Sequence, residues 1–221
     1  KRPIASGLVS IKQGLYFSLL LLFLSLVLSY YISIYFFSVC FFYYVLQVFY
    51  CTYLKRIPIA DIFCISAGFL LRAIGGGIAG GLQISPWFLL SITLLSLFLA
   101  IEKRKAELRA YNETGILTRK VLKQYSLSLL SRYESIVTTG SFLSYSLWAA
   151  GPLLNGAPTG WMILTVPFVL MGIFRYQLLS EKDREVLGSL KKSNLTENPE
   201  EILIHDSGIK IILSLWLISI T

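Results

Sequence analysis

The chain has 221 residues, of which 55% are hydrophobic and 14% charged, with a net charge of +8 and a mean hydropathy of +0.69. A soluble domain carries roughly a quarter charged residues, so this composition excludes an ordinary soluble globular domain and places the chain among membrane proteins. The excess of cations does not indicate nucleic acid, because no soluble basic patch or DNA-reading motif accompanies it.

In chain order, Lys1, Arg2 and Pro3 open a short polar start. No charged-then-apolar leader with a small-residue cleavage site precedes the first apolar run, and a start at Lys1 reads as a chain whose beginning is missing. A spanning helix needs about 20 apolar residues, and seven segments approach that: Leu15 to Ser33, Ile34 to Thr52, Ile62 to Leu82, Trp87 to Ile101, Ile136 to Ala150, Trp161 to Leu178 and Ile209 to Thr221. Lipid offers the backbone no hydrogen-bond partners, so these runs are predicted to be helices. Cys40, Cys51 and Cys64 lie in or beside them without CxxC spacing and read as buried thiols.

The connections set the topology. With the N-terminal residues inside, segments 53–61, 102–135 and 179–208 also lie inside, and the whole chain forms one transmembrane domain. Nineteen of the 20 Lys and Arg and all 12 Asp and Glu fall on that side or at its membrane edge. The bias of Lys and Arg makes that side cytoplasmic. The stretch 102–134 has helical spacing with Leu108, Tyr111 and Ile116 as an apolar stripe, and is expected to lie along the interface as an amphipathic helix.

Arg72 is the exception, falling within a span eleven residues beyond Asp61, or roughly 16 Å deeper at helical rise. An intramembrane cation usually faces a cavity or a partner: here either a polar cavity for an anionic headgroup or an interhelical pair. Gly76 with Gly80 and Gly77 with Gly81 form overlapping GxxxG pairs, read as close helix packing, with a helix break opening a cavity as the alternative. Lys55, Arg56 and Asp61 form a second candidate phosphate site or an ordinary basic flank. In EKRKAELR, Lys103 and Glu107 are i,i+4 neighbours on one helix face. Cations beside a carboxylate suit a diphosphate, and plain surface salt bridging is the bland reading. The lone His205 makes no metal site, and no HExxH or GxSxG motif is present.

The stretches YLKRIPIADIFCISAGFLLRAIGGGIAGGLQISPWFLL and LFLAIEKRKAEL, with KRPIASGLVS, FRYQLLSEKD and ENPEEILIHD, resemble the UbiA superfamily of intramembrane prenyltransferases, nearest its decaprenyl-phosphate phosphoribosyltransferase branch. The D-x(10)-R core, the SPWF ending and the KRxAEL stretch are its more specific parts. The resemblance implies an all-α, polytopic bundle with seven of nine expected transmembrane helices present. The first two, with an Asp-rich Mg²⁺-binding motif, would be missing, and the fragment alone would be inactive. Aromatic prenyltransferases carry DxxxD where this chain has EKRKAEL, and Glu102 and Lys105 depart from the branch's usual Gly and Tyr. The implied reaction is Mg²⁺-dependent transfer of 5-phosphoribose from phosphoribosyl diphosphate to a polyprenyl phosphate in a bacterial cell membrane, for a cell-envelope glycan precursor. Homo-oligomers are allowed, and nucleic acid is not expected as a partner.

On that reading Lys1 and Arg2 contact donor phosphates, Lys103 and Arg104 the 5-phosphate or diphosphate, and Glu107 a ribose hydroxyl. Lys55 and Arg72 suit the acceptor phosphate, and Asp61 orients one of these cations or a metal-bound water. Lys103, Glu107 and Arg72 are expected to share one wet hollow. Two other readings stand beside this one: an isoprenyl transferase acting on an aromatic acceptor, and a non-enzymatic transporter or assembly subunit.

Overall fold

The computed structural model describes residues 7–186 and 206–220. Lys1, Arg2, His205 and the stretch ENPEE lie outside the described residues. The rest forms seven α-helices: α1 (Ile11–Ile32), α2 (Ile34–Thr52), α3 (Ala60–Ala79), α4 (Pro86–Thr114), α5 (Leu127–Ala149), α6 (Val166–Val186) and α7 (Ser207–Ile218). Short 3-10 turns cover Leu54–Arg56 and Lys120–Gln124, and there is no strand among the described residues. Five helices are long and apolar enough to cross a membrane, making this an integral membrane bundle.

Local chemistry sets the ends of these helices. Ser10 and Gln13 form a capping box on α1, satisfying two of the amide groups that a helix start leaves free. Ser33 ends α1 and caps α2 by accepting from the Phe36 amide at 3.0 Å, so the first two helices fold back through a single extended residue. Pro86 opens α4 at a position where no amide is needed, and Gly115 closes it at φ +69, the left-handed stop that glycine adopts without penalty.

Consecutive helices pack against each other in chain order, with α4 at the centre. Its inner face joins Ile62 of α3, Leu130 and Val137 of α5, Ile173 and Tyr176 of α6 and Ile209 of α7 in one buried cluster. Between spans, small polar residues supply the contacts that apolar side chains cannot provide in lipid. Ser66 donates to the Thr93 carbonyl at 2.7 Å, Ser91 to Ser144 at 3.1 Å, and Trp216 to Tyr145 at 2.9 Å. Helices α1 and α2 bury little beyond Ser29, as expected for surfaces turned to lipid.

Two expectations need correction. The stretch 102–134 is not one helix lying along the interface. Residues 102–114 continue α4 in line with its span, because EKRKAEL consists of strong helix formers. Helix α5 then begins at Leu127, nine residues earlier than Ile136. Ion pairing explains this, since Glu134 points inward to Lys105 and its charge is compensated within the bundle. Leu108 is buried as expected, but Ile116 is exposed.

The GxxxG reading also changes. It is Gly75 that admits the Phe36 ring of α2, where an added Cβ would lie 3.3 Å from the ring. Gly77 admits Ile84, whose Cδ1 would lie 2.0 Å from such a Cβ. Gly76 opens onto free space, Gly80 caps α3 and Gly81 turns at φ +64. The close approach is therefore to α2 at Gly75 and to the following connection at Gly77, rather than to another helix across the Gly76–Gly80 and Gly77–Gly81 pairs.

At the far end of the chain, Asp206 caps α7 by accepting from the Ile209 amide at 2.7 Å, and it receives two hydrogen bonds from Arg175 of α6, at 3.1 and 2.9 Å. The Arg175 hydrogen bond holds the Asp206 carboxyl below its ordinary value. Its stabilisation is therefore present above the ordinary carboxylate range and is lost as pH falls through the lowered native value. Asp206→Ala should speed hydrogen exchange of the Ile209 amide roughly fivefold, the equivalent of a cap worth about 1 kcal/mol. Unchanged exchange would show that the pairing does not secure this helix start.

Candidate functional site

The charged ends of α3, α4, α5 and α6 meet in two buried ionic clusters, both organised by α4. Successive residues on a helix point roughly 100° apart, so Lys103, Arg104 and Lys105 face three directions. Arg104 turns to α3. Its Nε donates to Asp61 Oδ2 at 2.7 Å and its Nη1 to Glu107 Oε2 at 2.5 Å. Asp61 and Arg104 are each 0% exposed. Glu107 Oε2 also lies 3.6 Å from Arg119 Nε, and Arg119 in turn donates to the Tyr50 hydroxyl at 3.1 Å.

The remaining Asp61 oxygen is taken by Tyr125, whose hydroxyl donates to Oδ1 at 2.7 Å. That hydroxyl also accepts from the Ile59 amide at 2.6 Å. Burial raises the Tyr125 phenol above its ordinary value, and the hydrogen bond to Asp61 adds to the rise, so the phenol keeps its proton and stays a donor. Ile59 itself sits at φ +69. A β-branched residue is a true outlier there, at a cost on the order of 1–3 kcal/mol, and such strain persists only where the surroundings impose it. Within this cluster, Nη2 of Arg104 is a buried donor with no partner among the described residues.

Lys105 turns to the opposite side of α4. Its Nζ bonds Glu102 at 2.8 Å and Glu134 of α5 at 2.5 Å. Ser180 of α6 donates to Glu102, and Gln177 donates to Glu134 at 2.7 Å. Arg109 donates to the Ser180 carbonyl at 2.9 Å. This cluster ties α4, α5 and α6 together.

Lys103 turns to neither cluster. It is half-buried and makes no ion pair with a described residue, so the expected Lys103–Glu107 pair is replaced by Arg104–Glu107. Lys55 is half-buried and Arg56 exposed on the turn Leu54–Arg56, again without an ion pair among the described residues. This turn packs against the turn Lys120–Gln124. Glu107 Oε1 is left without a donor among the described residues, because both arginines approach Oε2.

Arg72 lies elsewhere. It lines a cavity of about 360 Å³ between α1, α2 and α3, with Ser25, Cys40, Tyr43, Gly75 and Gly76. Its guanidinium lies 4.6 Å from the Phe69 ring centre and 5.5 Å from that of Tyr43, within cation–π range, and no described carboxylate pairs with it. Neither Lys103 nor Glu107 lines that cavity. The expected common hollow for Lys103, Glu107 and Arg72 is therefore absent from the described residues. The physical reason is depth: Arg72 is three turns up α3 from Asp61, whereas Glu107 is drawn down to the Asp61 level by Arg104.

Sequence reasoning missed Tyr125, Glu134 and the pairing roles of Glu102 and Lys105. The only signal for Glu134 was its position next to a run counted as a span. Tyr125 carried none, since its partners are 64 and 66 residues away. Among the described residues no group of three or more His, Cys, Asp or Glu is placed to hold a metal. Asp61 and Glu107, the nearest candidates, are engaged by arginine, so these residues do not fit a Mg²⁺ site.

A helical membrane bundle with a buried ionic base and, among the described residues, unpaired cations at its edge defines the class as an intramembrane helical protein. The family is shown directly: residues 1–194 match the UbiA prenyltransferase family, and the chain belongs to it. It is 34% identical, over 98% of its length, to a decaprenyl-phosphate phosphoribosyltransferase of Mycolicibacterium smegmatis, covering 67% of that relative. A protein of the same description from Corynebacterium glutamicum is 31% identical over 99% of this chain and 64% of its own length. One from Mycobacterium tuberculosis is 31% identical over 80% of this chain and 55% of its own. The chain thus spans about two thirds or less of these relatives.

Removing one member of a buried ion pair leaves the other charge uncompensated. Asp61→Ala should lower stability by about 3 kcal/mol, read as a reduced denaturation midpoint in detergent, and Arg104→Met in the same chain should recover part of the loss. A variant that melts with the parent would show that the pair is not what holds α3 to α4.

Proposed function

We propose that the protein transfers 5-phosphoribose from phosphoribosyl diphosphate to a polyprenyl phosphate, at the cytoplasmic side of a bacterial cell membrane, as a step toward a cell-envelope glycan. The observation that carries this reading is the similarity to proteins described as decaprenyl-phosphate phosphoribosyltransferases along nearly the whole chain. The residue inventory supports it.

In this reaction a phosphate oxygen of the lipid attacks the anomeric carbon of the ribose. The new carbon–oxygen bond forms as the bond to the diphosphate breaks, and the electron pair leaves on the diphosphate. A lipid phosphate is already ionised, so no strong general base is needed. What the protein must supply is positive charge for the leaving group and orientation of the ribose. Lys103 has no acid to neutralise it among the described residues and is free to meet a donor phosphate. Glu107, steadied through Oε2, keeps Oε1 for a ribose hydroxyl. Lys55 and Arg72 are likewise unpaired and suit the acceptor phosphate. Arg104 is enclosed between Asp61 and Glu107, and its part is to hold Glu107 in place. Magnesium dependence belongs to the same proposal, with ligands other than the carboxylates Asp61 and Glu107, which arginine already engages.

The test is incubation of membranes carrying the whole protein with labelled phosphoribosyl diphosphate and polyprenyl phosphate. Label should enter the lipid fraction. Lys103→Ala should lower kcat/KM about 10- to 100-fold, the worth of one charged hydrogen bond of roughly 1.5–3 kcal/mol, at unchanged expression. Consumption of an isoprenyl diphosphate with no labelled lipid would instead identify an isoprenyl transferase.

A further inference from the structure

The Lys55–Asp61 connection carries two unpaired cations and a strained backbone, and one side chain from a distant segment secures it. The Tyr125 hydroxyl accepts a hydrogen bond from the Ile59 amide at 2.6 Å and donates one to Asp61 at 2.7 Å. It is 7% exposed, whereas the Ile59 side chain is 48% exposed and gains little from packing. The unfavourable φ of +69 at Ile59 therefore has no compensation in burial of its own side chain. Its carbonyl accepts the Ile62 and Phe63 amides at 3.1 and 3.0 Å at the start of α3, and its amide bond to Tyr125 is, among the described residues, the tether that reaches it from a distant segment. Released, Ile59 would relax to negative φ, and the chain direction before it would change. The segment that would shift is Lys55, Arg56, Ile57 and Pro58, with the turn that now rests on Lys120–Gln124, leaving the Asp61 amide bond to the Ile57 carbonyl, at 3.1 Å, as its remaining link to α3. Asp61 would keep its bond from Arg104, so the helix that follows would stay anchored.

We propose that Tyr125 is a positioning residue: its hydroxyl holds Ile59 in a left-handed conformation and so sets where Lys55 stands to meet the acceptor phosphate. The role of Lys55 rests on the phosphoribosyl transfer reading; the tether itself does not. Tyr125 touches no substrate on this account. It acts through the backbone of a segment 66 residues away.

Two variants separate positioning from simple support of the fold. Tyr125→Phe removes the hydroxyl and keeps the ring in the core. In membranes carrying the whole protein it should raise the KM for polyprenyl phosphate about tenfold, leave the KM for phosphoribosyl diphosphate within about twofold, and speed hydrogen exchange across 57–61 at least tenfold. Ile59→Gly makes the same φ available without strain. Introducing Tyr125→Phe into the Ile59→Gly background should therefore raise the acceptor KM by no more than about threefold. A general defect around Asp61 predicts equal losses toward both substrates and no relief from glycine, and either outcome would overturn the proposal. Unchanged exchange in Tyr125→Phe would also overturn it, by showing that no tether exists. If the unsubstituted protein transfers no phosphoribose, the functional reading falls and the Lys55 role with it, while the exchange comparison still decides whether Tyr125 holds Ile59.

Discussion

A guanidinium with no exposed surface sets the arrangement of this bundle. Arg104 is 0% exposed, and an isolated charge in such a place would cost several kcal/mol. The cost is met only if carboxylates reach it with good geometry, which requires Asp61 from α3 and Glu107 from the next turn of α4. Three further features follow. Helix α3 must start level with the charged end of α4, Tyr125 must fold back to use the second Asp61 oxygen, and Arg119 is drawn toward Glu107. Apolar packing alone does not fix such a register between spans, since lipid tails are as apolar as the side chains they would replace.

Above that base the bundle changes character. Contacts between spans are short hydroxyl bonds such as Ser66 to Ser96 at 2.7 Å, and large apolar side chains face outward along α1 and α2. Arg72 stands in this apolar part and is stabilised by the Phe69 and Tyr43 rings rather than by acid. Aromatic faces attract a cation without neutralising it, so the guanidinium keeps its charge uncompensated by any described carboxylate. This contrasts with Arg104, whose charge is spent inside the protein.

How much of this could be read from the sequence depends on range. The spans were visible because each is a continuous apolar run, and Ile34–Thr52 is placed to the residue. Ends defined by charge were misplaced. Glu134 reads as a loop residue, and only its partners on α4 and α6 show why it belongs to a helix. The candidate site was legible as a set of residue types and not as an arrangement. Asp61, Arg104 and Glu107 were singled out, yet helical spacing pointed Glu107 toward Lys103, four residues back. Burial decided otherwise, because Arg104 needed two carboxylates and Lys103 none. Tyr125 could not be found at all, since nothing local distinguishes it from the other twelve tyrosines.

The tripeptide Lys103–Arg104–Lys105 condenses the same logic. Three adjacent cations on a helix cannot share one task, because their directions diverge by about a third of a turn each. Lys105 answers Glu102 and Glu134, and Arg104 answers Asp61 and Glu107. Both therefore fix α4 against its neighbours on two sides. That double bracing fixes the helix backbone that carries the third residue, Lys103, so its point of attachment does not wander while its stem stays flexible. The two buried clusters thus hold the helix still on two sides, and the half-buried Lys103 is left as the one of the three cations without an ion pair among the described residues.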